Sequence, residues 1–215
     1  MTEAIHPLAG VIAALGRLVS GVQVRWDGAE PEPRQRIYFA NHSSHLDFVV
    51  VWAALPPELR ARTRPVAAKD YWEKGRLRPY LAQRVFRAVL LDRGAPTPTA
   101  VAPTHVAARD LIDGLVAALG DDTSLIIFPE GTRGSGETVA PFKSGIYHLA
   151  RRRPDVELVP VHIDNLNRIL PKGEIFPLPL ISTVTFGPPL LLAADESKQQ
   201  FLARAYEAVL ALKRN

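Results

Sequence analysis

The stretch Ser124-Leu125-Ile126-Ile127-Phe128-Pro129-Glu130-Gly131-Thr132-Arg133 decides the fold. Its first half is a short apolar run of strand length. Its second half is a turn carrying a carboxylate, a hydroxyl and a guanidinium. A strand that is apolar on both faces belongs inside a sheet covered on both sides. Working outward, further strands are predicted at 22–26, 36–40, 64–69, 89–92, 156–163 and 182–186. Helical spacing is predicted over 45–55, 78–88, 104–119, 143–152 and 196–213, with a Pro- and Thr-rich loop at 94–103. Strands alternating with helices imply an α/β fold, a mostly parallel or mixed central sheet with helices on both faces. Polar residues gather after Ala40, Ala68, Leu91 and Phe128, and open α/β sheets bind ligands at the carboxyl ends of their strands.

The chain has 215 residues, the size of a single domain. We divide it into an N-terminal helix at 1–21 and a folded domain at 22–215. With 47% hydrophobic and 22% charged residues it has the balance of a globular protein. It contains no cysteine, which excludes disulfides, thiolate metal sites and a cysteine nucleophile. A formal charge of +4 suits anionic membranes, phosphorylated substrates or nucleic acid. No dense basic block or RNA-binding signature is present, so nucleic acid is the weakest of the three.

Residues 7–16 form an apolar run interrupted by Arg17, too short to span a bilayer. Leu8, Val11, Ile12, Leu15, Leu18, Val19 and Val22 fall on one helical stripe. The expectation is a helix whose stripe packs on the core; a helix lying in a membrane interface is the alternative.

The candidate chemistry lies in two segments. In Asn41-His42-Ser43-Ser44-His45-Leu46-Asp47, His42 and Asp47 would lie about 140° apart on one regular helix. They meet only if His42 sits in the turn before the helix. Ser44 and Asp47 have capping-box spacing, which predicts an N-cap at Ser44 and leaves His42 outside. A carboxylate bonded to one imidazole nitrogen fixes the tautomer and leaves the other nitrogen as a base. By spacing alone, a capped turn explains the pair better. His45 is a second candidate base, without a carboxylate at that spacing. Ser43 and Ser44 lack the strand–turn–helix context of a nucleophilic serine. Direct attack by a substrate hydroxyl is therefore preferred to an acyl-enzyme.

In the second segment, glycines flank Thr132 and Arg133 and let the backbone approach a ligand. Arg133 has the geometry to hold a phosphate; a Glu/Arg surface pair explains the turn equally well. Asp92-Arg93 and Lys69 follow two other predicted strands, each alone reading as surface charge. With Arg133 they would place three cations at neighbouring strand ends, as a phosphate monoester needs. Lys143 is a weaker candidate. The histidines have no metal-ligand spacing, and no Walker loop or dinucleotide fingerprint is present.

These segments resemble the glycerolipid acyltransferases of the 1-acylglycerol-3-phosphate (lysophosphatidic acid) acyltransferase type. Asn41 to Asp47 matches a block with Asn-His and an Asp beyond it. Phe128 to Arg133 matches Phe-Pro-Glu-Gly-Thr-Arg. Val159-Pro160-Val161, Phe142-Lys143-Ser144-Gly145 and Leu170-Pro171-Lys172-Gly173 are also similar. The likeness covers residues 36–189. It implies a glycerolipid-acyltransferase-like fold, with His42 as general base oriented by Asp47. It implies that Glu130, Gly131, Thr132 and Arg133 place the acceptor, with Arg133 on its phosphate. Arg93 corresponds to the arginine of a further block and Lys69 to a phosphate-side lysine. The donor would be an acyl thioester, acyl-CoA or acyl carrier protein, with no bound cofactor or metal. The product would be phosphatidic acid, in phospholipid biosynthesis, at the cytoplasmic face of a membrane held peripherally. Where the further block opens with glycine, this chain has Arg87, which bears on the acceptor head group. Other lysolipids, a lyso-ornithine lipid among them, are the alternative acceptors. A non-catalytic lipid-binding protein and a thioesterase are the alternatives of other classes. Amides near Gly131 or after Ser44 are the expected oxyanion donors.

Overall fold

A computed structural model of the chain describes residues 7–44, 46–92, 105–134, 136–164 and 182–213. The predicted loop at 94–103, His45, Arg93 and the 170–173 block lie outside the described residues.

Seven strands form one mixed sheet: β1 (Gln23–Trp26), β2 (Arg36–Ala40), β3 (Thr63–Ala68), β4 (Val89–Leu91), β5 (Ser124–Ile127), β6 (Glu157–Asp164) and β7 (Thr183–Phe186). Their order is β1-β7-β6-β2-β5-β3-β4. The five strands from β6 to β4 are mutually parallel. β7 runs antiparallel to β6, and β1 runs parallel to β7. β2 and β5 are central and buried along their whole length, which is why both read as unbroken apolar runs.

Helices cover both faces. The helices are α1 (Pro7–Ser20), α2 (Asp47–Ala54), α3 (Pro57–Ala61), α4 (Lys69–Trp72), α5 (Leu77–Tyr80) followed by a π-helical turn (Leu81–Val85), α6 (His105–Leu119), α7 (Gly145–Arg152) and α8 (Lys198–Leu210). Tyr38 and Ala40 of β2 share a core with α1 and α2. The alternate residues Ile37 and Phe39 share the other core with α6, α7 and α8. The short α3 and α4 were not expected; one-turn helices are too short to show a period. The helix predicted at 78–88 instead changes to π geometry and ends at Val85, two residues before Arg87, whose φ is 51°.

The expectation for the α1 stripe is corrected in part: Ile12 and Val22 pack against the core, and other members of the stripe do not. Leu8, Val11, Leu15 and Leu18 are exposed, Leu18 at 79%, while Ala9 and Ala13 are buried. α1 packs through its small residues because it approaches α2 closely. A Cβ on Gly16 would already lie 3.5 Å from Val49 Cγ1. Arg17 Nε donates to Ala53 O at 2.6 Å, satisfying a carbonyl at the open end of α2. α2, caught between α1 and the sheet, is apolar all round for that reason.

Candidate active site

β2, β5, β3 and β4 are adjacent and parallel, so their loaded ends open on one edge of the sheet. The chain leaves β2 towards α2 on one face and leaves β5 towards α7 on the other. Loops that part to opposite faces leave a crevice between neighbouring strands, the usual ligand position in such sheets. His42 lies on one side of that crevice and 130–133 on the other.

His42 Nδ1 lies 2.7 Å from Asp47 Oδ2. The same oxygen accepts the N–H of Ser43 at 2.6 Å and of Ser44 at 2.8 Å. Asp47 is fully buried, and its Oδ1 has no hydrogen-bond partner among the described residues. With three donors on Oδ2, the arrangement suits a carboxylate. Nδ1 then carries the proton towards Asp47, and Nε2 is left as the basic nitrogen.

The expected N-cap at Ser44 is corrected in part. α2 begins at Asp47, after Leu46, with no side-chain cap. Half of the capping box forms, Asp47 Oδ2 with Ser44 N–H, while Ser44 Oγ accepts from Leu46 N–H at 3.3 Å. His42 lies outside the helix, as the dyad requires. The amides of Ser43 and Ser44 are taken by Asp47, and that of Gly131 donates to Phe128 O at 2.9 Å. None of these three is available to an oxyanion in this conformation.

The β5 loop holds His42 by its backbone. Glu130 Oε1 accepts His42 N–H at 2.6 Å, and Gly134 N–H donates to His42 O at 2.8 Å. Glu130 Oε2 accepts Ala140 N–H at 2.8 Å, so both carboxylate oxygens of this buried residue are occupied by backbone. Burial raises the Glu130 pKa, against the lowering effect of those two N–H donors. The imidazole stacks on Phe128 at 4.2 Å and 20°. Asn41 completes the bracket: its Nδ2 donates to Ile163 O and its Oδ1 accepts Ile163 N–H, tying the ends of β2 and β6. Sequence reading assigned no role to Phe128 or Asn41, and read Gly134 only as a glycine that lets the backbone approach a ligand. Asn41 and Phe128 were legible only as parts of their blocks, and Gly134 acts through its backbone.

The substrate-facing candidates are placed as follows. Gly131 has φ 74°, and Thr132 and Arg133 are exposed at the rim of the crevice. The Lys143 stem lies over Gly131: a Cβ there would meet Nζ at 2.6 Å. Lys143 N–H donates to Pro129 O at 2.9 Å, pinning it to the same loop. Lys69 opens α4 rather than closing β3, and its Nζ stands 3.8 Å from Glu73. A cavity of about 330 Å³ opens beside His42, lined by Asn41, Glu130, His162 and Tyr206 among others. Among the described residues, no three His, Cys, Asp or Glu side chains converge as metal ligands would.

Known proteins carry the same plan. The chain is 30% identical over 184 residues to a 1-acyl-sn-glycerol-3-phosphate acyltransferase of Limnanthes douglasii, covering 84% of this chain and 59% of that protein. To the human 1-acyl-sn-glycerol-3-phosphate acyltransferase alpha it is 31% identical over 158 residues, covering 72% of this chain and 50% of that protein. The chain thus spans little more than half the length of these curated relatives. The crystal structure of the 1-acyl-sn-glycerophosphate (LPA) acyltransferase PlsC from Thermotoga maritima superposes with a TM-score of 0.69 at 22% identity, covering 95% of this chain and 78% of that one. That likeness shows the fold. The acyltransferase family model matches residues 23–164, from β1 through the end of β6 and including both loops that build the crevice; the chain belongs to the acyltransferase family.

Proposed function

We propose that the chain transfers a fatty acyl group from an acyl thioester, acyl-CoA or acyl carrier protein, to the free hydroxyl of 1-acylglycerol-3-phosphate, giving phosphatidic acid. The observation that carries this reading is the His42–Asp47 contact at 2.7 Å, with the His42 peptide gripped from both sides by the β5 loop. His42 Nε2 takes the proton of the acceptor hydroxyl as its oxygen attacks the thioester carbonyl. Asp47 stabilises the imidazolium so formed. The tetrahedral intermediate collapses with loss of the C–S bond, and the thiolate takes the proton back from Nε2–H. One ester and one free thiol result, with no acyl-enzyme. Glu130 acts here as a positioning residue, since both its oxygens are engaged. Arg133, Lys69 and Arg93 are assigned to the acceptor phosphate and Thr132 to the acceptor's polar edge, while Gly131 leaves room for their approach.

The exposed Leu8, Val11, Leu15 and Leu18 support a peripheral membrane placement, taken to be on the cytoplasmic face. No helix among the described residues is long and apolar enough to cross a membrane. Arg87, at the position where the resemblance expects glycine, favours a second reading, an acceptor with a different head group such as another lysophospholipid or a lyso-ornithine lipid.

The test is a panel of lysolipid acceptors with one labelled acyl thioester, read as lipid product and released thiol. His42→Ala is expected to abolish both while leaving a folded protein by circular dichroism. Full activity in that variant overturns the assignment. Thiol release without an acceptor would identify a thioesterase instead.

A further inference from the structure

A second cavity lies away from His42. It has a volume of about 620 Å³, between α6 and α7, and is lined by Ala108, Arg109, Ile112, His148, Arg151 and Arg152. Its lining combines two aliphatic side chains with three arginines and a histidine. Arg152 forms an exposed ion pair with Asp113 at 2.7 Å. Arg151 leans over the Tyr147 ring, 5.9 Å from its centroid, and has no carboxylate partner among the described residues; nor has Arg109. Among the described residues, two guanidiniums without a carboxylate partner and an imidazole thus share this lining with Ala108 and Ile112. Guanidinium forks bind phosphate oxygens in pairs and stack on flat rings. The volume falls in the range of small-molecule sites. The ligand chemistry that fits is a nucleoside bearing more than one phosphate.

The position of the groove argues for a soluble ligand. α6 and α7 pack on the Ile37 and Phe39 face of the sheet, and α1 on the Tyr38 and Ala40 face. A membrane covering the apolar side of α1 leaves the groove facing water. α7 links the groove to the crevice. α7 starts at Gly145, two residues after the Lys143 that covers Gly131, and Gly145 faces Ile112 Cδ1 at 3.8 Å from an added Cβ. His148, Arg151 and Arg152 follow within roughly 5–10 Å along α7.

We propose that this groove seats the adenosine 3′,5′-bisphosphate end of a coenzyme A thioester, whose pantetheine arm then runs along the start of α7 to the crevice at Gly131. The inference rests on the acyl-transfer reading for the identity of the thioester, and on the groove alone for the nucleotide.

The experiment titrates adenosine 3′,5′-bisphosphate into the full chain by calorimetry and uses it as an inhibitor of acyl transfer. It is expected to bind, to compete with acyl-CoA, and not to compete with the lysolipid. In Arg109→Gln/Arg151→Gln, binding is lost and the KM for acyl-CoA rises about tenfold or more with kcat unchanged. The KM for an acyl N-acetylcysteamine thioester, which has no nucleotide, stays the same. The single variants give smaller shifts in the same direction, and all three keep the wild-type melting temperature. Equal KM increases for both donors, an unchanged KM for acyl-CoA, or an effect confined to an acyl carrier protein donor each overturn the proposal. If ester forms but the bisphosphate neither binds nor competes, the groove assignment fails and acyl transfer stands. If the bisphosphate binds through Arg109 and Arg151 but no donor yields ester, the nucleotide site stands and the acyl-transfer reading fails.

Discussion

Glu130 Oε1 accepts the backbone N–H of His42 at 2.6 Å, joining the two loops that face each other across the crevice. The contact is a carboxylate spent on holding a peptide rather than on a ligand. Its other oxygen holds Ala140 N–H, so the same side chain sets the path of both chain segments. We expect Glu130→Gln to keep one of these bonds and to set an amide N–H against the other donor. The cost is about 1–3 kcal/mol of stability, that of one buried polar group left unpaired. Because the His42 peptide shifts, kcat should fall by about ten- to a hundredfold while the acceptor KM holds. Urea unfolding and steady-state kinetics check both; a raised acceptor KM at constant kcat would instead make Glu130 a substrate contact.

Gly131 and Lys143 form a second linked pair. Gly131→Ala places a methyl group in the space of the Lys143 stem, at a φ of 74° that an L-residue resists. The backbone cost is about 1–2 kcal/mol, and the Lys143 ammonium must move. Lys143→Gln removes its charge without the backbone effect. Both variants should raise the KM for a phosphorylated acceptor, Lys143→Gln by about tenfold. A monoacylglycerol acceptor, lacking the phosphate, should show no such change. If both acceptors respond alike, Lys143 does not act on the phosphate.

His162 carries a pH dependence of stability. It is buried on β6, and burial holds its pKa below the usual histidine value, with Lys213 acting the same way and Asp164 opposing. The unfolded chain therefore binds more protons at this residue than the folded chain in the window between the depressed value and about 6.5. Stability is lost as the pH falls through that window and is regained as it rises. His162→Gln cannot titrate, so its urea midpoint should change less between pH 7.5 and 5.5 than that of the wild type, where pH values are about those spanning the window. Equal changes in the two proteins would place the acid sensitivity elsewhere.

Arg87 is the sole non-glycine with positive φ among the described residues. An L-residue there costs about 1–2 kcal/mol. Replacing it by alanine and by glycine removes the same side chain in both cases, so the comparison isolates the backbone. Arg87→Gly should be more stable than Arg87→Ala by about 1 kcal/mol, after the extra unfolded-state entropy of glycine is counted. Thermal or urea unfolding of the pair decides it; equal stabilities would mean the φ relaxes without cost. The same two variants, run on the acceptor panel, report whether the Arg87 side chain selects the head group.

By itself the sequence determined the layered α/β plan and the two blocks. Continuous apolar runs at 36–40 and 124–127 can be buried only in the middle of a doubly covered sheet, and their polar ends follow from parallel strands. It also brought out His42 and Asp47 as a pair, though spacing left a capped turn ahead of a dyad. Tertiary structure shows Asp47 holding both the Ser43 and Ser44 amides and the His42 ring, an arrangement that depends on where α2 begins and on a loop 88 residues away that grips the His42 peptide. It also decided which face of α1 is buried. Periodicity marks the large apolar stripe, but at the close approach of α1 to α2 Ala9 and Ala13 are buried and Gly16 meets Val49, with Ile12 packed against the same core, while Leu8, Val11, Leu15 and Leu18 turn outward. Lys143 follows the same rule: its place over Gly131 depends on the turn at Pro129 and not on its neighbours in the chain. Local periodicity records what each segment would bury; the partner it buries against is set by contacts far along the chain, which no local pattern carries.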